Sequence, residues 1–330
     1  MKNILIVGLG SIGRRHVDNF GKYFDEIDIV DINPDRIKQA QEEFKINNAY
    51  SDYLKPIREN NYVAVAITTP PHLHLPIALE ASKNGSHLFI EKPLGMSISG
   101  WEEVNQVCEK NNIVSYIAFC HRHINFSKRL KEIVDSKVIG TPIHANMRWG
   151  SYLPDWHPYE DYRTFYMAKK EEGGGALMDE SHGIDFVRYI LGDVKEVFGV
   201  VDNITNLEIS SDDVAFLTLR MNSNALVHIN FDLQSRAPRV NFEIICDEGT
   251  VIWDRIKNRI EIYSSKNKKW SLEQYTQEDT MSMYPNQASH FIDCIKNDKK
   301  PFININDGMK TQRVIDATFE SSNLKRIISI

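Results

Sequence analysis

Short apolar runs alternate with amphipathic stretches through the first third of the chain. Residues 3–8, "NILIVG", carry an apolar, β-branched core of the kind a strand buried on both faces requires. A helix-like stretch follows over 11–23, then a second strand, "EIDIVD", ending at Asp31. Asn33 and Pro34 supply an N-cap and a first-turn proline to "PDRIKQAQEEF". A short third strand falls near Ala49 and Tyr50, and Ser51 and Asp52 open another helix. "YVAVAI" (62–67), "SHLFIE" (86–91) and "IVSYIAF" (113–119) are further strands, separated by the helical "HLPIALEASKNG" and "SISGWEEVNQVCEKNN". This alternation predicts a mainly parallel sheet with right-handed crossovers.

The pattern changes after about residue 123. A helix, "FSKRLKEIVDSKVIG", leads into the strand "IHANMRWG" and a polar, aromatic-rich loop over 151–172. From Val194 onward six runs alternate apolar and polar positions, from "VKEVFGVV" to "RIEIYS", with Gly, Asn and Asp turns between them. Such alternation predicts a mainly antiparallel open sheet with one face against helices. Two closing helices fall near 286–297 and 307–327. The reading is therefore an N-terminal α/β domain of the doubly wound, Rossmann type over 1–122. A C-terminal α+β domain covers 123–330.

Composition narrows the class. The chain has 330 residues, 42% of them hydrophobic and 25% charged, with a net charge of −6. That balance gives no surplus of cations for phosphates, so a nucleic-acid partner is not expected. No apolar run reaches the roughly 20 residues of a membrane span. The four cysteines, Cys108, Cys120, Cys246 and Cys294, are widely spaced, which suits reduced thiols in a cytoplasm.

Gly8-Leu9-Gly10-Ser11-Ile12-Gly13 fits G-x-G-x-x-G between a predicted strand and a predicted helix. The first glycine permits a tight turn, the second lets a pyrophosphate approach the backbone, and the third lets helix and strand pack closely. Helix N-terminal amides would face the phosphates. Asp31 ends the second strand, where an acid accepts from the adenosine ribose 2′-hydroxyl and repels a 2′-phosphate. NAD is expected over NADP, Arg36 being the nearest cation.

The stretch "AITTPPHLHLPIALEASKNGSHLFIEKPLG" (66–95) resembles the Gfo/Idh/MocA family of glucose–fructose oxidoreductase and inositol dehydrogenase relatives. Thr69-Pro70-Pro71-His72-Leu73-His74 is similar to the family's Thr-Pro-Asn-x-x-His, with Pro71 in place of Asn, and Glu91-Lys92-Pro93 to its Glu-Lys-Pro. The resemblance extends over the glycine turn, "GGGALMDESHGID" (173–185) and the closing helices. It implies cofactor contacts from Thr68, Thr69, Pro70, His74, Glu91 and Lys92, with Lys92 where cofactor meets substrate. Independently, Lys92 follows a buried strand, at the carboxyl end where open α/β sheets place ligands. The resemblance also implies His182 as general base and Asp179 as a hydroxyl-binding or His-tuning acid. A helix from about residue 175 through "LMDESHGIDFVRYIL" would put Asp179 and His182 about 60° apart on one face, with Asp185 a turn later. Many relatives space the first Asp four residues before the His; here the spacing is three and Met178 holds the fourth place.

Weaker candidates complete the set. Cys120, His121 and His123 are metal-ligand types, but three ligands so close in an extended segment do not converge on one ion, so no metal is expected. Arg122 beside them and Trp156, Tyr162 and Arg163 in the loop are expected to touch substrate, and the resemblance implies the same for Tyr284 near the end. Tyr166, His157 and Asp161 offer further faces and hydrogen bonds. The resemblance implies an NAD-dependent dehydrogenase acting on a small-molecule sugar, cyclitol or nucleotide sugar, as a homodimer or homotetramer, with residues 1–122 binding the dinucleotide and 123–330 serving substrate binding and oligomerisation. An NAD-dependent glycosidase on the same fold and a non-catalytic NAD-binding regulator are the alternatives.

Overall fold

A computed structural model describes every residue but His157 and Tyr159. The chain divides into two compact units, Met1–Phe119 with Tyr284–Met309, and Cys120–Met283 with Lys310–Ile330. Among the described residues no helix is long and apolar enough to cross a membrane.

In the first unit, β1 (Asn3–Val7), α1 (Ser11–Phe20), β2 (Glu26–Val30), α2 (Pro34–Glu43), β3 (Asn48–Tyr50), α3 (Leu54–Glu59), β4 (Ala64–Ile67), α4 (His74–Lys83), β5 (His87–Ile90), α5 (Trp101–Lys110) and β6 (Ser115–Ile117) follow one another. The six strands form one parallel sheet in the order β3-β2-β1-β4-β5-β6. Strands with helices on both sides must be apolar throughout, and Ile4 to Ile6 and Ala64 to Ile67 are wholly buried. The direction of winding reverses between β1 and β4, the switch point at which such sheets bind their ligands. The boundary lies at Phe119 rather than after residue 122, and Tyr284–Met309 return to this unit. Aromatic packing explains the return. On the helix Met283–Lys296, Phe291 packs edge-on to Phe89 (5.5 Å between centroids) and Phe20 (6.0 Å), and Ile117 donates its N–H to the Ile303 carbonyl.

In the second unit, α6 (Asn125–Asp135) and β7 (Pro142–Tyr152) precede α7 (Ala176–Asp179) and α8 (Ser181–Leu191). Then come β8 (Val194–Asp202), β9 (Val214–Met221), β10 (Leu226–Asp232), β11 (Gln234–Cys246), β12 (Gly249–Asp254), β13 (Arg259–Ser264), β14 (Lys269–Gln274) and, after the last helix, β15 (Ile328–Ser329). Nine strands form one sheet, β14-β13-β12-β11-β7-β10-β9-β8-β15, antiparallel except where β7 meets β10. One face is covered: Trp253 packs on Phe186 of α8 and Phe126 of α6. Helix α8 lies so close to β10 that a Cβ on Gly183 would meet the Phe231 ring at 2.5 Å.

The expected single helix over 176–191 is two. Glu180 has ψ 17, which ends α7 and lets α8 start anew. Separate anchors hold the two pieces, Asp212 at the start of α7 and Phe231 against Gly183, and the chain adjusts between them. In the expected loop over 151–172, Ser151 and Tyr152 still belong to β7, and among the described residues that follow, short 3₁₀ turns form at Leu153–Asp155, Tyr162–Thr164, Tyr166–Ala168 and Lys170–Glu172.

Candidate active site in two halves

The first half lies at the switch point of the parallel sheet. Gly8 turns the chain at φ +98, and a Cβ there would strike the Thr68 carbonyl at 2.7 Å. A Cβ on Gly13 would meet the Gly8 carbonyl at 2.0 Å, so α1 can approach β1 only with glycine there. Thr68 secures the turn, its hydroxyl donating to the Val7 and Gly8 carbonyls. Gly10 caps α1, with no side chain bonding the first turn and no acid in it, and a Cβ on Gly10 would meet nothing within 4 Å. The first-turn amides of Ser11 and Ile12 therefore border open space suited to an anion. Asp31 is buried at the end of β2, accepting from the N–H groups of Leu9 (2.6 Å) and Asn33 (2.8 Å). These bonds fix a carboxylate whose remaining lone pairs can accept ribose hydroxyls; Arg36 stands 3.9 Å from it. Thr69 adds a buried hydroxyl oxygen with no protein partner. This cradle fits a dinucleotide with a free 2′-hydroxyl.

Lys92 follows β5 and is half-buried. Two buried histidines hold its surroundings. His74 sets Nε2 2.8 Å from the Thr69 carbonyl and Nδ1 3.0 Å from that of Pro93, and burial lowers its pKa. His16 Nε2 lies 2.8 Å from Glu91 Oε1, while Glu91 Oε2 accepts from the Lys92 N–H. His74, expected to touch the cofactor, is fully buried and clamps the Thr69 loop to the one carrying Lys92. Glu91, also buried, positions Lys92 in the same way. Tyr284 faces Arg15 of α1, whose guanidinium sits 4.2 Å from its ring centroid, so it belongs to the nucleotide half by contact.

The second half lies where α7 and α8 meet the sheet. His182, near the start of α8, stands 4.7 Å (ring centroids) from His121 and 6.0 Å from Trp149, to which its ring is nearly parallel at 13°. His121 meets the Trp149 edge at 4.7 Å, closing a three-ring cluster. Neither Trp149 nor His121 stood out in the sequence as a partner of His182. Tyr166 donates its hydroxyl to Asp179 Oδ1 at 2.6 Å, which fixes that carboxylate.

Three expectations change here. Asp179, His182 and Asp185 do not form one helical row, because the break at Glu180 separates the first from the others. Asp185 faces Arg122, which grips it through two parallel hydrogen bonds, Nε to Oδ2 at 2.8 Å, both side chains being buried. Arg122, expected to touch substrate, is thus held in a buried ion pair beside Tyr189. Cys120 and His121 do converge, but on His182 and not on His123: their donor atoms lie within 4.8 Å of one another. The segment is a 3₁₀ turn, not extended, which makes that possible.

The described loop residues bond to one another and to Glu208. Trp156 donates its indole N–H to the Ser151 hydroxyl, and Tyr162 accepts from the Glu208 N–H. Arg163 pairs with Asp161 and Glu208, and its hydrogen bond holds the Asp161 carboxyl below the usual range. His157 lies outside the described residues.

The Rossmann unit carries a buried, fixed acid at the end of β2, and the sheet unit carries a histidine among rings. Residues 2–119 match the oxidoreductase family with an NAD-binding Rossmann fold, and residues 127–252 match the GFO/IDH/MocA C-terminal domain. The chain belongs to this GFO/IDH/MocA family and is an NAD-binding oxidoreductase. It is 26% identical to the myo-inositol 2-dehydrogenase of Thermotoga maritima, over 98% of this chain and 97% of that one. It is 25% identical to a 2,7-anhydro-N-acetylneuraminate hydratase of Escherichia coli, over 70% of this chain and 62% of that one. A levoglucosan dehydrogenase solved with NADH has the same fold, with a TM-score of 0.90 at 19% identity, covering 100% of this chain and 99% of that one.

Proposed function

We propose that the protein oxidises a secondary alcohol of a carbohydrate-class substrate: a sugar, a cyclitol or a nucleotide sugar. NAD, when bound, supplies the hydride acceptor. Asp31 accepts from the ribose 2′-hydroxyl, and the open first turn of α1 receives the pyrophosphate. Lys92 hydrogen-bonds the substrate oxygen and stabilises negative charge developing on it. His182 takes the hydroxyl proton, the ring cluster orienting its imidazole, and Asp179, fixed by Tyr166, binds a neighbouring hydroxyl. The observation that carries this reading is the clamped segment at the carboxyl end of β5, where two buried histidines and Glu91 fix the backbone around one lysine. The inositol dehydrogenase relative supports the substrate class.

A panel of sugars, cyclitols and nucleotide sugars, scored by NADH absorbance with NAD and NADP in parallel, tests it. Lys92→Ala and His182→Ala are each expected to lower kcat by about 10²- to 10⁴-fold. Full turnover in both variants would overturn the assignment.

The hydratase relative favours one second reading, a redox-neutral reaction in which NAD is reduced and restored within a turnover. Loss of substrate without net NADH would select it. The uncovered sheet face exposes Phe198, Val200 and Leu226, which supports self-association; sedimentation velocity would read a dimer or tetramer.

A further inference from the structure

We propose that Cys120, His121 and His182 form a site for a soft divalent cation, zinc above all, that competes with the proton for His182. The three donor atoms lie within 4.8 Å of one another, and the two imidazole rings stand 4.7 Å apart. A tetrahedral zinc with bonds of about 2.0–2.3 Å sets its ligands roughly 3.3–3.8 Å apart, so side-chain rotations of about an ångström close the set. One thiolate and two imidazoles are the donors such an ion prefers, and three protein ligands leave the fourth position for water. Cys120 carries a thiol, and Cys120 and His121 are fixed side by side in the 3₁₀ turn before α6. Trp149 walls the site against both imidazoles. His182 is the more exposed of the three, which gives the ion a side of entry.

Binding releases the Cys120 thiol proton to solvent and takes one lone pair from each imidazole, and no redox step is involved. An occupied site therefore withdraws His182 from proton transfer. That consequence for turnover rests on the reading of His182 as proton acceptor; the cation site itself does not.

Cobalt(II) added to the full chain reads the geometry directly. One equivalent is expected to give thiolate-to-cobalt charge-transfer absorption with intense tetrahedral d–d bands, displaced by zinc. Cys120→Ser should abolish the charge-transfer band and weaken zinc binding by at least about 100-fold, with circular dichroism reporting the fold. His123→Gln, which leaves the trio intact, should not change the spectrum. Side-chain NMR should show the His182 ring ceasing to titrate when zinc binds. Absence of the band, its survival in Cys120→Ser, or a His182 that still titrates with zinc bound would overturn the site. Those readouts need no substrate, so their failure leaves the dehydrogenase reading standing. Cobalt bound through Cys120 and His182 without loss of turnover would keep the site and overturn His182 as the base.

Discussion

Glycine precedes both α1 and α7, yet the two helix starts use their amides in opposite ways. Before α1, Gly10 leaves the first turn uncapped by any side chain, with open space above it. Before α7, Gly175 sits at φ +117 and ψ 161, and a Cβ there would strike Asp212 Oδ1 at 2.2 Å. Asp212 fills that end: its carboxylate accepts from the Leu177 N–H and its carbonyl from the Ala176 N–H, both at 2.9 Å. One start is left open, and the other is satisfied by an internal acid. What separates them is the company each glycine keeps in space, which a run of glycines does not encode.

Swapping the demands on these glycines would break the comparison. Gly175→Ala should cost the more, about 2–4 kcal/mol of stability, because its backbone region is nearly closed to other residues and the new methyl meets a carboxylate. Thermal unfolding would measure it, and NAD affinity by calorimetry should stay unchanged. Gly10→Ala should do the reverse. Its φ of −64 suits alanine and its methyl meets no protein atom, so the melting temperature should hold. The methyl would instead occupy the pyrophosphate approach, and NAD Kd should rise by about 10- to 100-fold, or about 1.4–2.7 kcal/mol. An unchanged Kd would mean that the open turn is not where the cofactor binds.

The first unit was legible because parallel strands bury both faces and so write themselves as local apolar runs, and because the glycine turn has a fixed spacing. The strands of the second unit were readable wherever one face is covered and polarity alternates. Strand β14 escaped because "KWSLEQ" lies at the exposed edge and has no buried face to pattern it. The return of Tyr284–Met309 depends on Phe291 meeting Phe20 and Phe89, far away in sequence. At the candidate site, residue types were readable and pairings were not. Arg122 and Asp185 each suggested chemistry alone, and only the fold shows that they neutralise each other 63 residues apart. The break at Glu180 arises because α7 and α8 are anchored separately, which no helical wheel contains.

Asp212 offers the smallest effect and the sharpest sign. Burial pushes its carboxyl up to about 6, against an ordinary value of 3.8, although the Leu177 amide favours the charged form. A carboxyl whose folded pKa is raised holds its proton in the native state after the unfolded chain has released it. Its contribution to stability is therefore fully present below about pH 4 and is lost as pH rises through about 6. Asp212→Asn keeps a side-chain acceptor for the Leu177 N–H and removes the titration. Denaturant unfolding of both proteins between pH 4 and 7.5 should show the variant gaining on the wild type as pH rises, by on the order of 1–2 kcal/mol after allowance for partial exposure. A stability difference that does not vary over that range would show that Asp212 is ionised throughout. The start of α7 would then be held by a full charge, as a bound anion would hold α1, and the contrast between the two helix starts would narrow to where their anions come from.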